Sequence, residues 1–324
     1  MCLPTDIPTT SAAPATDATY ESLEALLLNH SGQVSLAERF RALFSLKALP
    51  DQRSVDIIGR GFADSSALLK HELAYVLGQM GNPHALPVLE QVLRDDAEDV
   101  MVRHEAAEAL GAIGQPESLP VLREFVNHPA APIAETCELA VGRIQYEADQ
   151  QAPSTATIDA DAKAAILYAS VDPAPAHNDA SQSTEALGHR LMDPNLPLFE
   201  RYRAMFALRN RGDTAAVEEL ARGLEDPTSA LFRHEIGFVF GQMQHPASVP
   251  ALVKALANTA EEPMVRHECA EALGSIASPE VLPVLQTFSK DPERVVRESC
   301  IVALDMYEHE QSGQFQYATV PDSQ

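Results

Sequence analysis

The sequence predicts an all-α fold: a solenoid of helical hairpins arranged as two lobes of four repeats each, facing one another. Three observations carry that expectation. First, the stretch VRHEAAEALGAIG at residues 102–114 returns from Val265 as VRHECAEALGSIA, ten of thirteen residues kept at an offset of 163. Second, a finer period of about 33 residues runs inside each copy. Third, apolar residues make up 45% of the chain while aromatic residues make up 6%, with no Trp, which favours close Ala/Leu helix packing over a sheet.

Taken in order, residues 1–19 are rich in Thr, Pro and Ala and are expected to be unstructured; they lack the basic start and apolar run of a signal peptide. The first lobe, 20–149, carries ERFRALFSLKAL from Glu38, HELAYVLGQMG from His71, HEAAEALGAIG from His104 and a divergent ETCELAVGRI from Glu135. Residues 150–184 read as a flexible linker dominated by Pro, Ala, Ser and Asp, with a short helical or extended piece at 164–169. The second lobe, 185–311, repeats the order with ERYRAMFALRN from Glu200, HEIGFVFGQMQ from His234, HECAEALGSIA from His267 and ESCIVALDMY from Glu298. A tail at 312–324 is expected to be unstructured. Each period also holds a second helical stretch, such as HALPVLEQVLRD after Asn82-Pro83 or ASVPALVKALAN after His245-Pro246. Two short helices per repeat with Pro and Gly at the junctions describe a solenoid of the HEAT type.

Lys and Arg number 23 against 47 Asp and Glu, a formal charge of −24. Such a surface repels nucleic acid and anionic lipid and attracts cations, beyond its plain effect on solubility, so no direct nucleic-acid partner and no membrane are expected. The cysteines, Cys2, Cys137, Cys269 and Cys300, form no CxxC pair, and Cys137 and Cys300 share the 163-residue offset. Buried reduced thiols in a soluble cytoplasmic protein, with nuclear presence open, fit this better than disulfides. Phosphate-binding and dinucleotide loops, a nucleophile elbow and a cysteine zinc motif are all absent from the sequence.

The chemistry lies in the His-Glu pairs. With about 100° per residue, Leu69, Leu73, Val76, Leu77 and Met80 form one apolar stripe, and His71, Glu72, Tyr75 and Gln79 share the opposite face. The pattern recurs with His104, Glu105 and Glu108, with His234 and Glu235, and with His267, Glu268 and Glu271. Because these residues lie off the stripe, replacing them is expected to cost no more than about 0.5 kcal/mol. Stacked helices sit about 8–10 Å apart, so the two pairs of one lobe converge on a point. A lone His-Glu on a helix is ordinarily solvated charge. Here four of eleven histidines take one repeat position, while the outer repeats place Glu38, Glu135, Glu200 and Glu298 there. A need of the repeat itself would show in every copy, so the pattern points to a site. Imidazole and carboxylate without thiolate suit Fe(II) or Mn(II), with Zn(II) also chemically open. Gly78, Gly111, Gly241 and Gly274 follow each His by seven residues and serve either tight helix packing or room for a substrate. His30, His84, His128, His177, His189, His245 and His309 receive no role.

The stretches SALLKHELAYVLGQM, MVRHEAAEALGAIG, SALFRHEIGFVFGQM, PMVRHECAEALGSIA and DPERVVRESC, with SVDPAP in the linker, together resemble the deoxyhypusine hydroxylase family over residues 36–317. The resemblance implies a non-haem di-iron monooxygenase with Fe(2+), about two per chain, and O2 as co-substrate. It would hydroxylate the deoxyhypusine side chain of the hypusine-containing eukaryotic translation factor, the last step of hypusine biosynthesis, using an unidentified electron donor. The family's metal-binding residues carry over onto His71, Glu72, His104, Glu105, His234, Glu235, His267 and Glu268. Glu72 and Glu235 are in addition candidates for holding the substrate's ammonium group. One departure is Val100 where the second lobe has Pro263, at a helix start. The competing readings are a HEAT scaffold without catalysis, which would hold no metal, and a metal-dependent hydrolase or lyase-like HEAT protein, which would work without oxygen.

Overall fold

The computed structural model describes residues 16–49, 51–151, 168–177 and 181–312. The expectations for 1–15, for the linker piece at 164–167 and for the tail beyond 312 lie outside the described residues. Within them, all regular structure is helical. The first lobe holds α1 (Asp17–Leu27), α2 (Leu36–Lys47), α3 (Gln52–Arg60), α4 (Ala67–Met80), α5 (Leu86–Arg94), α6 (Val100–Ile113), α7 (Leu119–Phe125) and α8 (Ala131–Gln151). The second holds α9 (Thr184–Met192), α10 (Leu198–Arg211), α11 (Thr214–Gly223), α12 (Ala230–Met243), α13 (Val249–Ala257), α14 (Pro263–Ile276), α15 (Leu282–Phe288) and α16 (Arg294–Ser312). Consecutive helices pair into hairpins, and α1 begins inside the stretch expected to lack structure.

Local chemistry sets the boundaries. Ser35 and Glu38 form a reciprocal capping box at α2, and Ser66 and Ser229 cap α4 and α12 by accepting from Leu69 N and Phe232 N. Left-handed residues end the inner helices: Gly81 and Gly114 in the first lobe, and at the matching places Gln244 and Ala277 in the second. For Ala277 the positive φ is a strain that glycine avoids.

The even-numbered helices form an inner layer and the odd-numbered ones an outer layer. Inner helices stack in sequence, α4 on α6 on α8 and α12 on α14 on α16. The row then closes on itself, because α16 meets α2 and α4 while α8 meets α10 and α12. Two seams result, related by the same offset as the sequence duplication. Ser66 Oγ donates to Glu298 Oε2 at 2.7 Å, and Ser229 Oγ donates to Glu135 Oε2 at 2.7 Å. Arg41 pairs with Asp305 at the first seam, and Arg203 lies over the Tyr146 ring at the second. The molecule is therefore a ring with an approximate twofold axis, and its inner helices bury a face on each side.

A ladder of buried arginines, absent from the sequence reading, ties successive hairpins together. Arg39, Arg103, Arg201 and Arg266 donate Nε to the carbonyls of Leu27, Leu93, Leu191 and Leu256 at 2.8–3.0 Å. Their remaining nitrogens reach Asp64, Asp96, Asp226 and Asp291. Each guanidinium thus satisfies a helix-end carbonyl that has no partner within its own helix. Three of the four glycines resolve in favour of packing: a Cβ on Gly78, Gly111 or Gly274 would lie 2.7–2.9 Å from the Cα of Ala109, Ala140 or Ala303, whereas at Gly241 the distance to Ala272 Cα is an ordinary 3.4 Å.

Between the lobes, residues 168–177 differ from the flexible linker expected. Ala174 is fully buried, and Gln79 grips the Val171 backbone in both directions, at 2.8 and 3.2 Å. Composition signals a linker here, but the polar ends of the inner helices supply partners that composition does not reveal.

Candidate metal centre

The four histidines meet at the centre of the ring. His71, His104, His234 and His267 are each no more than 5% exposed. In five of their six pairs the ring centroids lie 5.1–5.7 Å apart, and His71 is nearer to His267 of the other lobe, at 5.1 Å, than to His104 of its own, at 5.5 Å. The histidines of each lobe converge, at 5.5 Å and 5.2 Å, and the two lobes join in a single cluster, each contributing half. Ligand atoms of His71, His104 and His234 lie within 4.8 Å of one another, as do those of His234, His267 and Glu268, and those of His104, Glu105 and Glu108.

The cluster keeps the approximate twofold symmetry. His71 Nε2 is 3.2 Å from Glu105 Oε2, and its counterpart His234 Nε2 is 3.5 Å from Glu268 Oε2. Glu72 and Glu235 each leave Oε1 without a protein partner. Two further carboxylates, Glu108 and Glu271, belong to the site but were not in the expected ligand set. Their signal is the spacing His-x-x-x-Glu, one helical turn, which places Glu271 Oε1 3.7 Å from His267 Nδ1.

The expectation that these positions resemble surface is overturned. Glu72, Glu105, Glu235, Glu268 and Glu271 are all buried, because the face opposite each apolar stripe packs across the ring against the other lobe. Removal from water is the largest influence on every titration here. It holds the four imidazoles below their ordinary range. It raises the carboxyls, Glu105 to about 8 and Glu72, Glu108, Glu235, Glu268 and Glu271 likewise upward. Both nitrogens of all four rings lack hydrogen-bond partners. Buried polar atoms are ordinarily satisfied, and leaving one unpaired costs about 1–3 kcal/mol. Neutral imidazoles crowded among desolvated carboxylates are what a divalent cation requires, and such a cation would offset both penalties. The donor set therefore fits a metal.

Two separate cavities flank the centre along the approximate twofold axis. One, of about 720 Å3, is floored by Ala67, Leu68, Met101, Ala230 and Met264, three or four residues before the histidines. That is one helical turn, about 5 Å. On the other side a cavity of about 20 Å3 is lined by the His71, Glu72 and Glu105 side chains, their counterparts, and Tyr75 with Phe238. It has room for about one water. The Tyr75 and Phe238 rings meet edge to face with centroids 5.8 Å apart, followed one turn on by Gln79, Gln242 and the pinned interlobe segment.

Ring closure of stacked helical hairpins around a buried histidine–carboxylate cluster defines a HEAT-repeat protein built about a metal-type centre. The HEAT-repeat family model matches residues 22–101, 62–142 and 224–305, and the PBS lyase HEAT-like repeat matches 200–226. The chain is 57% identical to the deoxyhypusine hydroxylase of Mus musculus over 283 residues, covering 87% of this chain and 90% of the relative. It is 53% identical to that of Schizosaccharomyces pombe over 320 residues, covering 96% and 98%. The solved structure of human deoxyhypusine hydroxylase in complex with glycerol superposes with a TM-score of 0.83 at 50% identity, covering 90% of this chain and 96% of that one. The chain belongs to the deoxyhypusine hydroxylase family.

Proposed function

We infer that this chain hydroxylates the deoxyhypusine side chain of a protein substrate, completing hypusine formation. Family membership supports the activity, and one observation ties it to chemistry: the four buried histidines that converge from both lobes with every ring nitrogen unpartnered. We further propose iron as the metal, about two ions per chain, held by His71, His104, His234 and His267 with Glu105 and Glu268. Iron so bound would activate O2 for insertion of one oxygen atom into a C–H bond. The second oxygen atom leaves as water, with two protons and two electrons drawn from a donor yet to be identified.

The residues of the chain do the remaining work. The deoxyhypusine side chain is a cationic amine, and the cavity above the histidines, whose two arginines Arg233 and Arg294 are paired with Glu261 and Glu298, is lined by Asp99, Glu262 and Glu293. These carboxylates attract the amine, and the −24 net charge extends that attraction outward. Glu72 and Glu235 present their free Oε1 atoms to the ammonium group. The burial of the centre excludes bulk water from the reacting carbon. A hypusine-containing translation factor is the protein substrate proposed, and a cytoplasmic location suits it. Among the described residues no helix is long and apolar enough to cross a membrane.

The test is metal analysis beside a hydroxylation assay on deoxyhypusine-bearing protein. About two irons per chain with O2-dependent product is the expected result. Stoichiometric zinc with negligible iron would remove the oxygenase chemistry, and a protein that takes up no metal would favour a scaffold.

A further inference from the structure

We propose that segment 170–177 is a plug built into the site, covering the side of the centre opposite the large cavity and locking the two lobes in register, with Asp172 as its positioning residue. Gln79 and Gln242 occupy matching positions on α4 and α12, two helical turns beyond His71 and His234. Both hold the same short stretch. Gln79 binds the Val171 backbone, and Gln242 Nε2 donates to Ser170 Oγ at 2.9 Å. Residues related by the approximate twofold axis can grip adjacent positions only if the segment crosses that axis, and the histidine cluster lies on it.

Asp172 then fastens the segment to both lobes. Its carboxylate accepts from Arg209 of the second lobe at 2.7 and 2.6 Å, a bidentate pair in which the guanidinium side chain is 4% exposed. Its backbone carbonyl accepts from Arg143 of the first lobe. Ser170 Oγ donates to the same carboxylate at 2.6 Å, which orients it. Farther along, Pro175 O accepts from Arg203 Nε, and His177 N donates to Arg203 O, both at 3.2 Å. A passive tether needs none of these bonds. The metal ligands come from both lobes, so a slip between lobes separates ligands and admits water from below; the segment opposes both.

This inference rests on the metal reading given above, and the experiment separates the two. Four forms of the full chain are compared after iron loading: Asp172→Ala, Gln79→Ala combined with Gln242→Ala, a chain cut at a protease site placed within 152–167, and Val217→Ala as a core control. Iron transfer to an added chelator and the kcat and KM for the protein substrate are measured. In metal-free protein, amide exchange in the last turns of α4 and α12 is followed as well. Asp172→Ala and the double glutamine variant are expected to release iron faster and lower kcat by about tenfold or more, with KM nearly unchanged. Asp172→Asn, which keeps one acceptor, should recover part of the loss. The cut chain keeps the plug and should stay within about twofold of the intact protein, as should Val217→Ala.

Three results would each overturn the proposal: Asp172→Ala indistinguishable from the parent, the cut chain behaving like Asp172→Ala, or Val217→Ala matching it. If Asp172→Ala does not fold, the glutamine pair decides by the same criteria. If the parent protein takes up no iron, the metal reading fails, and amide exchange alone judges the plug: faster exchange in Asp172→Ala supports it, and unchanged exchange refutes it.

Discussion

At the fifth residue of the inner helices, α4, α6, α12 and α14 carry histidine while α8 and α16, at the seams, carry glutamate, and the two sets have opposite fates. The histidines of α4, α6, α12 and α14 turn to the ring axis and remain without hydrogen bonds. Glu135 and Glu298, on α8 and α16, turn across a seam and accept from the capping serines of the facing lobe. In α2 and α10 the same position holds the buried Phe40 and Tyr202. Glu38 and Glu200, expected there from the sequence, lie two residues earlier, where Glu38 closes a capping box and Glu200 lies 3.0 Å from Arg190 and 3.1 Å from Arg203. The same backbone position serves assembly where its partners are present and chemistry where they are withheld. The gathering of unsatisfied buried polar atoms in one place, both nitrogens of four rings, is thus the mark of the site.

The largest break in that comparison comes from the inner set. His104→Ala and His267→Ala should each abolish metal binding and hydroxylation, checked by metal analysis and product assay. The metal-free variants should still fold, within about 2 kcal/mol of the parent by urea titration, since each change removes an unpaired polar group while leaving a small cavity. Collapse of the helical signal would make these histidines structural. Next in size is removal of the metal itself. At a free metal concentration about 100-fold above Kd, binding adds about 2.7 kcal/mol to the folded state, so chelation should lower Tm by several degrees. A Tm unmoved by chelation would break the link between the unpaired imidazoles and a cation.

Smaller effects test the packing between neighbouring inner helices. A Cβ at Gly274 would meet Ala303 Cα of α16 at 2.7 Å, whereas at Gly241 it would meet Ala272 Cα of α14 at 3.4 Å. Gly274→Ala should therefore destabilise by about 1–3 kcal/mol. Gly241→Ala should be neutral or mildly stabilising, because an ordinary contact leaves the helix-propensity gain of up to about 1 kcal/mol intact. Equal costs, measured by urea titration, would show that the glycines do not report local approach. At the seam, Glu298→Ala removes the hydrogen bond from Ser66 and the half-exposed pair with Arg294, and should cost about 1–2 kcal/mol without changing iron content. Smallest of all, Glu218→Gln on the exposed face of α11 should alter substrate binding negligibly. Glu72→Gln or Glu235→Gln should weaken it more than either reduces iron, as binding titrations beside metal analysis would show.

Much of the site was legible because duplication repeats a rare pair at one register. The offset of 163 identified the four His-Glu pairs, and the apolar stripe oriented them. Glu108 and Glu271 were visible on the same face but were passed over, since a glutamate one turn after a histidine is common on solvated helices. The arginine ladder escaped because its acceptors are carbonyls of a preceding helix, which a side-chain pattern does not mark.

The sequence by itself determined the repeat count, the helical hairpins, the residues of the cluster and the polarity of the charge, because each depends on local periodicity or on composition. Tertiary structure alone decided that the row of repeats closes into a ring, that the polar face of the inner helices is buried, and that His71 approaches His267 at 5.1 Å across the axis. It also decided that a linker of loop composition becomes a hydrogen-bonded plug. The physical reason is the same in each case: whether a polar side chain is solvated, paired or held bare depends on what stands opposite it, and in this chain the opposite partner belongs to the other lobe, far away in sequence.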